Sequence, residues 1–116
     1  MPQIETSAVA AAGATVHVVE VDGPLELPTV SALRDELARL ADAGAVNLLL
    51  DLTHVDFMDL AAVSTLYRAA LGARLAVAVA TGSQPARTLA LCKLDRTIPA
   101  FADRAQAFAA LGRRGS

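Results

Sequence analysis

The segment DLTHVDFMD (51–59) crowds three carboxylates and one imidazole, Asp51, His54, Asp56 and Asp59, into a short stretch. Such groups are the material of general acid–base catalysis or of a metal site. Asp51 and Asp59 would flank a strand-to-helix link near the carboxyl end of a sheet, where α/β proteins commonly seat ligands. The spacing nevertheless matches no ligand or acid–base set with a mechanistic basis. Asp51 reads as the end of a strand, His54 and Asp56 as solvated turn residues, and Asp59 as a helix N-cap. No catalytic residue, metal or cofactor is expected, and the chain reads as a non-enzyme.

Other reactive residue types are sparse. His17 falls in a strand and reads as a rim or satisfied core residue. Cys92, among Ala and Leu on a helix, reads as a small hydrophobe. A lone cysteine excludes an intrachain disulfide and suits a reducing compartment. TGSQPAR (81–87) has one Gly at a helix start, so it reads as a turn, with weak anion or small-ligand binding left open by free N–H groups and Arg87.

The elements that must position these groups follow from the apolar pattern. ATVHVVEV (14–21) alternates as a strand, with an extra strand expected in 3–10. TVSALRDELARLADAG (29–44) puts Val30, Leu33, Leu37 and Leu40 on one helical face, with Thr29 as cap and Gly44 as left-handed stop. VNLLLDL (46–52) is apolar enough to be covered on both faces. A helix over 60–71 ends at Gly72, ARLAVAVA (73–80) is another buried strand, and a helix over 86–94 follows Pro85. TIPAF (97–101) is an edge strand because Pro99 cannot donate to a ladder, and Asp103 caps a last helix reaching about Leu111. The alternation predicts a single α/β domain over 3–111, with a mixed, mostly parallel sheet of four or five strands, four helices and a flexible tail at 112–116.

Composition excludes several functions. The 116 residues are 54% hydrophobic and 19% charged, with three Phe, one Tyr and no Trp. Ten basic and twelve acidic residues are scattered along the chain, leaving a net charge of −2. Apart from Arg113 and Arg114 there is no basic stripe, so no nucleic-acid partner is expected. No run approaches the ~18 apolar residues of a membrane span. The N-terminus lacks a basic region ahead of its short Ala-rich stretch, so no signal peptide and a cytoplasmic location are expected.

Three segments in order carry a resemblance. DLTHVDFMD is similar to the STAS domain pattern of an Asp-ended strand, a short link and a Phe-x-Asp approach to the second helix. VDGPLELPTVSALRDELARL (21–40) resembles its Gly-x-Leu turn and first helix. TGSQPARTLALCKLDRTIPAFADRAQAFAAL (81–111) resembles its C-terminal half, with an x-Pro helix start, a Leu-Asp pair, a short strand and an Ala-rich last helix. The resemblance implies a protein of the anti-sigma factor antagonist type. Such a protein docks through its second helix and nearby loops on an anti-sigma factor, often a serine kinase, to regulate sigma-factor-dependent transcription. In that family the kinase modifies a Ser directly after the motif Asp, and the added phosphate ends the interaction.

The chain departs from the pattern at that point. Where the family has Ser-Ser-Gly, this sequence has Leu60, Ala61 and Ala62, so the acceptor position has no hydroxyl. Ser64 and Thr65 lie one turn further on and read as ordinary helix polar residues. The second helix is also about one turn shorter than the family pattern. The expected partner surface comprises Asp59, Leu60, Ala61, Ser64, Arg68, Ser83 and Arg87. Leu60 either folds into the core or stands exposed as a docking anchor. A monomer or weak dimer is expected. The alternative is a STAS-like adaptor outside sigma control, such as a small-ligand module or an accessory subunit of a lipid-transport ATPase.

Overall fold

The computed structural model describes residues 4–11, 13–94 and 97–112. Strand β1 (Ile4–Ala11) turns back through Gly13 (φ 82°) into β2 (Ala14–Asp22), and the two form an antiparallel ladder. Thereafter each strand is reached by a helical crossover: α1 (Thr29–Asp42) to β3 (Asn47–His54), α2 (Leu60–Gly72) to β4 (Arg74–Ala78), α3 (Gln84–Leu91) to β5 (Ala100–Phe101). The last helix, α4, spans Arg104–Gly112. The five strands lie in the order β1-β2-β3-β4-β5, parallel from β2 onward. This is the mixed, mostly parallel α/β sheet that the alternating pattern predicts.

Strand β3 explains the layers. Its side chains from Asn47 to Leu52 are all buried, because helices cover both faces of the sheet. Leu48, Leu50 and Leu52 point into the larger core, shared with Val30, Leu33, Leu37 and Leu40 of α1, Val63 and Leu66 of α2, and Leu89 of α3. Leu49 points the other way, into a smaller core with Val16, Val18, Ala76 and, from α4, Ala107 and Leu111. At the opposite end of the sheet from the β3–α2 link, the Arg74 guanidinium donates to the carbonyl oxygen of Leu111 at 3.0 Å. A cation there offsets the partial negative charge of a helix C-terminus.

Several element ends differ from expectation. Thr29 is the first residue of α1 and not its cap. Pro28 holds that position with helical dihedrals, so the Glu26 and Pro28 carbonyls already accept from Val30 and Ala32. Gly44 is the expected left-handed stop (φ 85°), and the following Ala45 N–H closes back on Leu40 O at 2.9 Å. Strand β3 runs to His54 because Thr53 and His54 continue in the extended chain, with His54 paired to Asp22. Helix α3 begins at Gln84 and stops at Leu91, since Lys93 turns left-handed (φ 58°). That leaves Cys92 exposed just beyond the helix, not packed as a small hydrophobe. Strand β5 is only two residues long, and Asp103 caps α4 as expected, accepting from Gln106 N–H at 2.8 Å. Asp95 of the Leu-Asp pair and residues 113–116 of the expected tail lie outside the described residues.

Candidate functional site

The link from β3 to α2 is tied to the chain just after β2. Gly23 N–H donates to His54 O (3.3 Å), Leu25 N–H to Phe57 O (2.8 Å), and Asp59 N–H to Leu25 O (3.3 Å). Leu25, Val55 and Met58 are buried beneath this ladder, which fixes the path of the link by packing as well as by hydrogen bonds. The intervening side chains must then face water: Phe57 is 42% exposed and Leu27, on the neighbouring segment, is 69% exposed.

Asp59 ends the link in extended conformation, and its Oδ1 accepts from the Ala62 N–H at 3.0 Å. It is the N-cap that its position in the sequence predicts. Leu60 follows, and the structure decides between its two expected fates, because it is 73% exposed. Ala61, Ser64 and Arg68 share the exposed side of α2. The helix buries Ala62, Val63, Thr65 and Leu66, while Tyr67 and Leu71 are exposed to solvent. Ala62 and Thr65 share the inward stripe with Val63 and Leu66 at helical spacing, which leaves Leu60, Tyr67 and Leu71 on the outer side. Thr65 is sealed further by donating its hydroxyl to Ala61 O at 3.0 Å.

A contact between distant parts of the chain holds this helix start in place. The Gln84 side-chain amide pairs with the Met58 backbone, its Oε1 accepting from Met58 N–H (2.9 Å) and its Nε2 donating to Met58 O (3.1 Å). Gln84 sits in the first turn of α3, directly before the buried Pro85. The start of α3 therefore positions the start of α2. Ser83 is half-buried and serves as the α3 cap, accepting from Ala86 N–H at 3.3 Å. Arg87 is exposed and donates to Gly82 O at 2.6 Å, so both residues brace their own loop beside the α2 start.

The carboxylate cluster does not converge. Asp51 lies on the α4 side of the sheet, next to Leu49, whereas Asp59 caps α2 on the other side. The Asp51 Oδ2 accepts from Arg104 Nε (3.0 Å) and Nη2 (2.6 Å), and its Oδ1 from the Thr53 N–H (3.0 Å) and hydroxyl (2.6 Å). Burial pushes the Asp51 carboxyl upward, but the Thr53 and Arg104 hydrogen bonds outweigh it and hold it below the usual carboxylate range. Arg104 also lies 3.5 Å from Glu20, and His54 Nδ1 lies 3.9 Å from the same carboxylate. Asp56 is exposed on the link. The group is a fastening between β3 and α4, with each Asp51 oxygen engaged. Half-buried His17 stands apart in β2, with its buried Nδ1 lacking a hydrogen-bond partner among the described residues.

Neither Gln84 nor the exposed pair Leu27 and Phe57 stood out in the sequence. A glutamine at a helix start carries no local signal for a partner 26 residues away. The alternation of buried Leu25 with exposed Leu27 was the available hint for the second.

Comparison with known proteins places these features in a family. The STAS domain model matches residues 7–107. An anti-sigma factor antagonist from Mycobacterium paratuberculosis has a similar structure, with TM-score 0.78 and 23% identity over 93% of each chain. A putative anti-sigma factor antagonist from Thermotoga maritima gives TM-score 0.81 and 16% identity over 95% of each chain. The antagonist SpoIIAA in its unphosphorylated form gives TM-score 0.63 and 18% identity, covering 97% of this chain and 99% of its own. At these identities the likeness is one of fold. No curated protein matches the sequence.

Proposed function

The chain belongs to the STAS domain family, and on that premise we propose that it is a non-catalytic binding module of the anti-sigma factor antagonist type. It docks on an anti-sigma factor of the serine-kinase class and so regulates sigma-factor-dependent transcription. Leu60 is the observation that carries this reading: a large apolar side chain, 73% exposed, in the first turn of a well-capped helix. Phe57 and Leu27 are further exposed apolar residues on the two segments tied together before this helix start, and the buried Leu25–Met58 pairing fixes those segments against each other. A rigid apolar anchor loses little conformational entropy on binding, which is the property of a docking site.

The same residue removes the usual switch. In the family pattern a Ser follows the capping Asp, and phosphate on it adds nearly two negative charges beside that carboxylate, so repulsion and desolvation oppose docking. Leucine has no hydroxyl to modify. Binding by this protein is therefore constitutive at residue 60, or controlled elsewhere. Thr65 is buried and bonded to Ala61 O, so it offers no accessible substitute, whereas Ser64 is exposed one turn along.

The test is to mix the purified protein with the serine-kinase anti-sigma factors of its own genome, with and without ATP. A stable complex that persists in ATP, with no phosphate on this chain, is the expected result. Absence of a complex with every one of them overturns the reading. So does ATP-dependent release accompanied by phosphate on this protein.

A further inference from the structure

We propose that the outer edge of β1 is a self-association surface, where a second copy of this chain pairs antiparallel and joins the two five-stranded sheets. The inner side of β1 is fully laddered to β2, from the Ile4–Val21 pair to the Ala11–Ala14 pair. Its outer side presents N–H and C=O groups along eight residues, an edge about 27 Å long. Proteins normally guard such an edge with Lys, Pro, a bulge or extreme shortness. The β1 sequence IETSAVAA has none of these, and its only charge is Glu5. At the opposite edge, β5 is limited to two residues and follows Pro99.

Self-complementarity identifies the occupant. Two copies related by a two-fold axis perpendicular to a continuous sheet oppose residues that point to the same face, so the central registers place Ser7 or Ala8 on the axis. With Ser7 central, Glu5 meets Val9 and Thr6 meets Ala8. With Ala8 central, Glu5 meets Ala11 and Ser7 meets Val9. In neither register do like charges face each other, and the Ala-rich second half offers no bulk to keep the strands apart. Ala8, Val9 and Ala10 are exposed in the single chain, with Val9 at 39%. A one-strand contact is smaller than a standard stable interface, so the dimer is weak and concentration-dependent. The start of α2, between β3 and β4, stays free in such a dimer, so self-association is independent of partner docking.

Sedimentation equilibrium from roughly 1 to 500 µM tests this, a range suited to an interface of this size. The mass should climb from one chain toward two, while Val9→Glu, which sets like charges against Glu5 of the second copy, stays monomeric throughout with an unchanged melting temperature. Ala8→Pro and Val9→Pro supply a second measurement, because adjacent N–H groups point to opposite sides of a strand. One variant should break the inner ladder and lower the melting temperature. The other should abolish the dimer and leave the fold intact. A wild-type protein that is monomeric at every concentration overturns the proposal, as does a dimer that survives Val9→Glu and both proline variants.

Discussion

The two faces of the sheet treat the end of β3 in opposite ways. On the α4 face, Asp51, Thr53, Arg104 and Glu20 consume one another's hydrogen-bonding capacity. On the α2 face, Asp59 is satisfied by its own helix, and the residues around it, Leu60, Phe57 and Leu27, hold apolar surface in water. The richer chemistry is thus on the side that is closed, and the blank helix start is on the side that is open. A dense cluster of ionisable groups is a fastening when every lone pair is engaged. An apolar residue that could have folded inward, and did not, is the better sign of a binding surface.

The largest effect should come from breaking the closed side. Arg104→Ala leaves Asp51 with only the Thr53 bonds in a buried site, and should cost about 2–3 kcal/mol in urea unfolding at pH 7. That lies below a fully buried pair because the guanidinium is partly exposed. The pH dependence has a definite sign. The folded-state pKa of Asp51 is depressed, so its contribution is fully present above the unfolded carboxylate value near ~3.9 and is lost as pH falls through the lower folded value. The stability gap between wild type and Arg104→Ala should therefore narrow only below about pH 4. A gap that closes between pH 5 and 7 would show that Asp51 is not the group whose charge Arg104 holds.

The open side should respond in the other measurement. Leu60→Asp removes the anchor and places a carboxylate where a phosphate would stand in the family pattern. Its affinity for the proposed anti-sigma factor partner should fall by about 10- to 150-fold, the loss of roughly 1.5–3 kcal/mol of apolar burial. Stability should hold or rise slightly, because an acidic side chain in the first turn favours the helix dipole. Opposite signs in titration calorimetry and thermal melting would mark Leu60 as a surface that the fold does not need. Parallel losses would instead make it part of the core.

How much of this contrast was legible in the sequence depends on the distance over which each contact forms. The strand and helix order, the Asp59 and Asp103 caps and the Gly44 stop all rest on interactions within a few residues, and each was readable from local pattern. The Asp51–Arg104 pair closes over 53 residues and the Gln84–Met58 pair over 26, and neither partner's type announces the other. Thr29 misled because a good cap residue lost its position to a turn already coiled by Pro28. Leu60 was undecided for a different reason. A leucine in a first helical turn can rotate toward core or solvent, and only the placement of Ala62 and Thr65 settles which side of the helix faces in.

A medium effect should separate support from contact on the open side. Gln84→Ala strips both side-chain hydrogen bonds from the partly buried Met58 backbone, at a cost of about 1–2 kcal/mol. Hydrogen exchange at the Met58 amide should accelerate with it. Gln84→Glu keeps an acceptor for that N–H but has no donor for Met58 O at neutral pH, so its exchange rate should lie between wild type and Gln84→Ala. If all three proteins exchange alike, the two helix starts are held together by packing of Leu25 and Met58 alone.

Asp59 belongs to both sides of the comparison, as a satisfied polar group and as the neighbour of the exposed anchor, and two substitutions divide its roles. Asp59→Ala removes the bond to the Ala62 N–H and should cost about 1 kcal/mol of stability. Asp59→Ser keeps a capping oxygen and should cost only a few tenths of a kcal/mol. The partner decides what remains. If Asp59→Ser binds the proposed partner like wild type, the carboxylate serves the helix and Leu60 carries recognition alone. If Asp59→Ser binds as weakly as Asp59→Ala while melting like wild type, the charge itself is read by the partner, and the open side then comprises an apolar anchor and a carboxylate on adjacent residues.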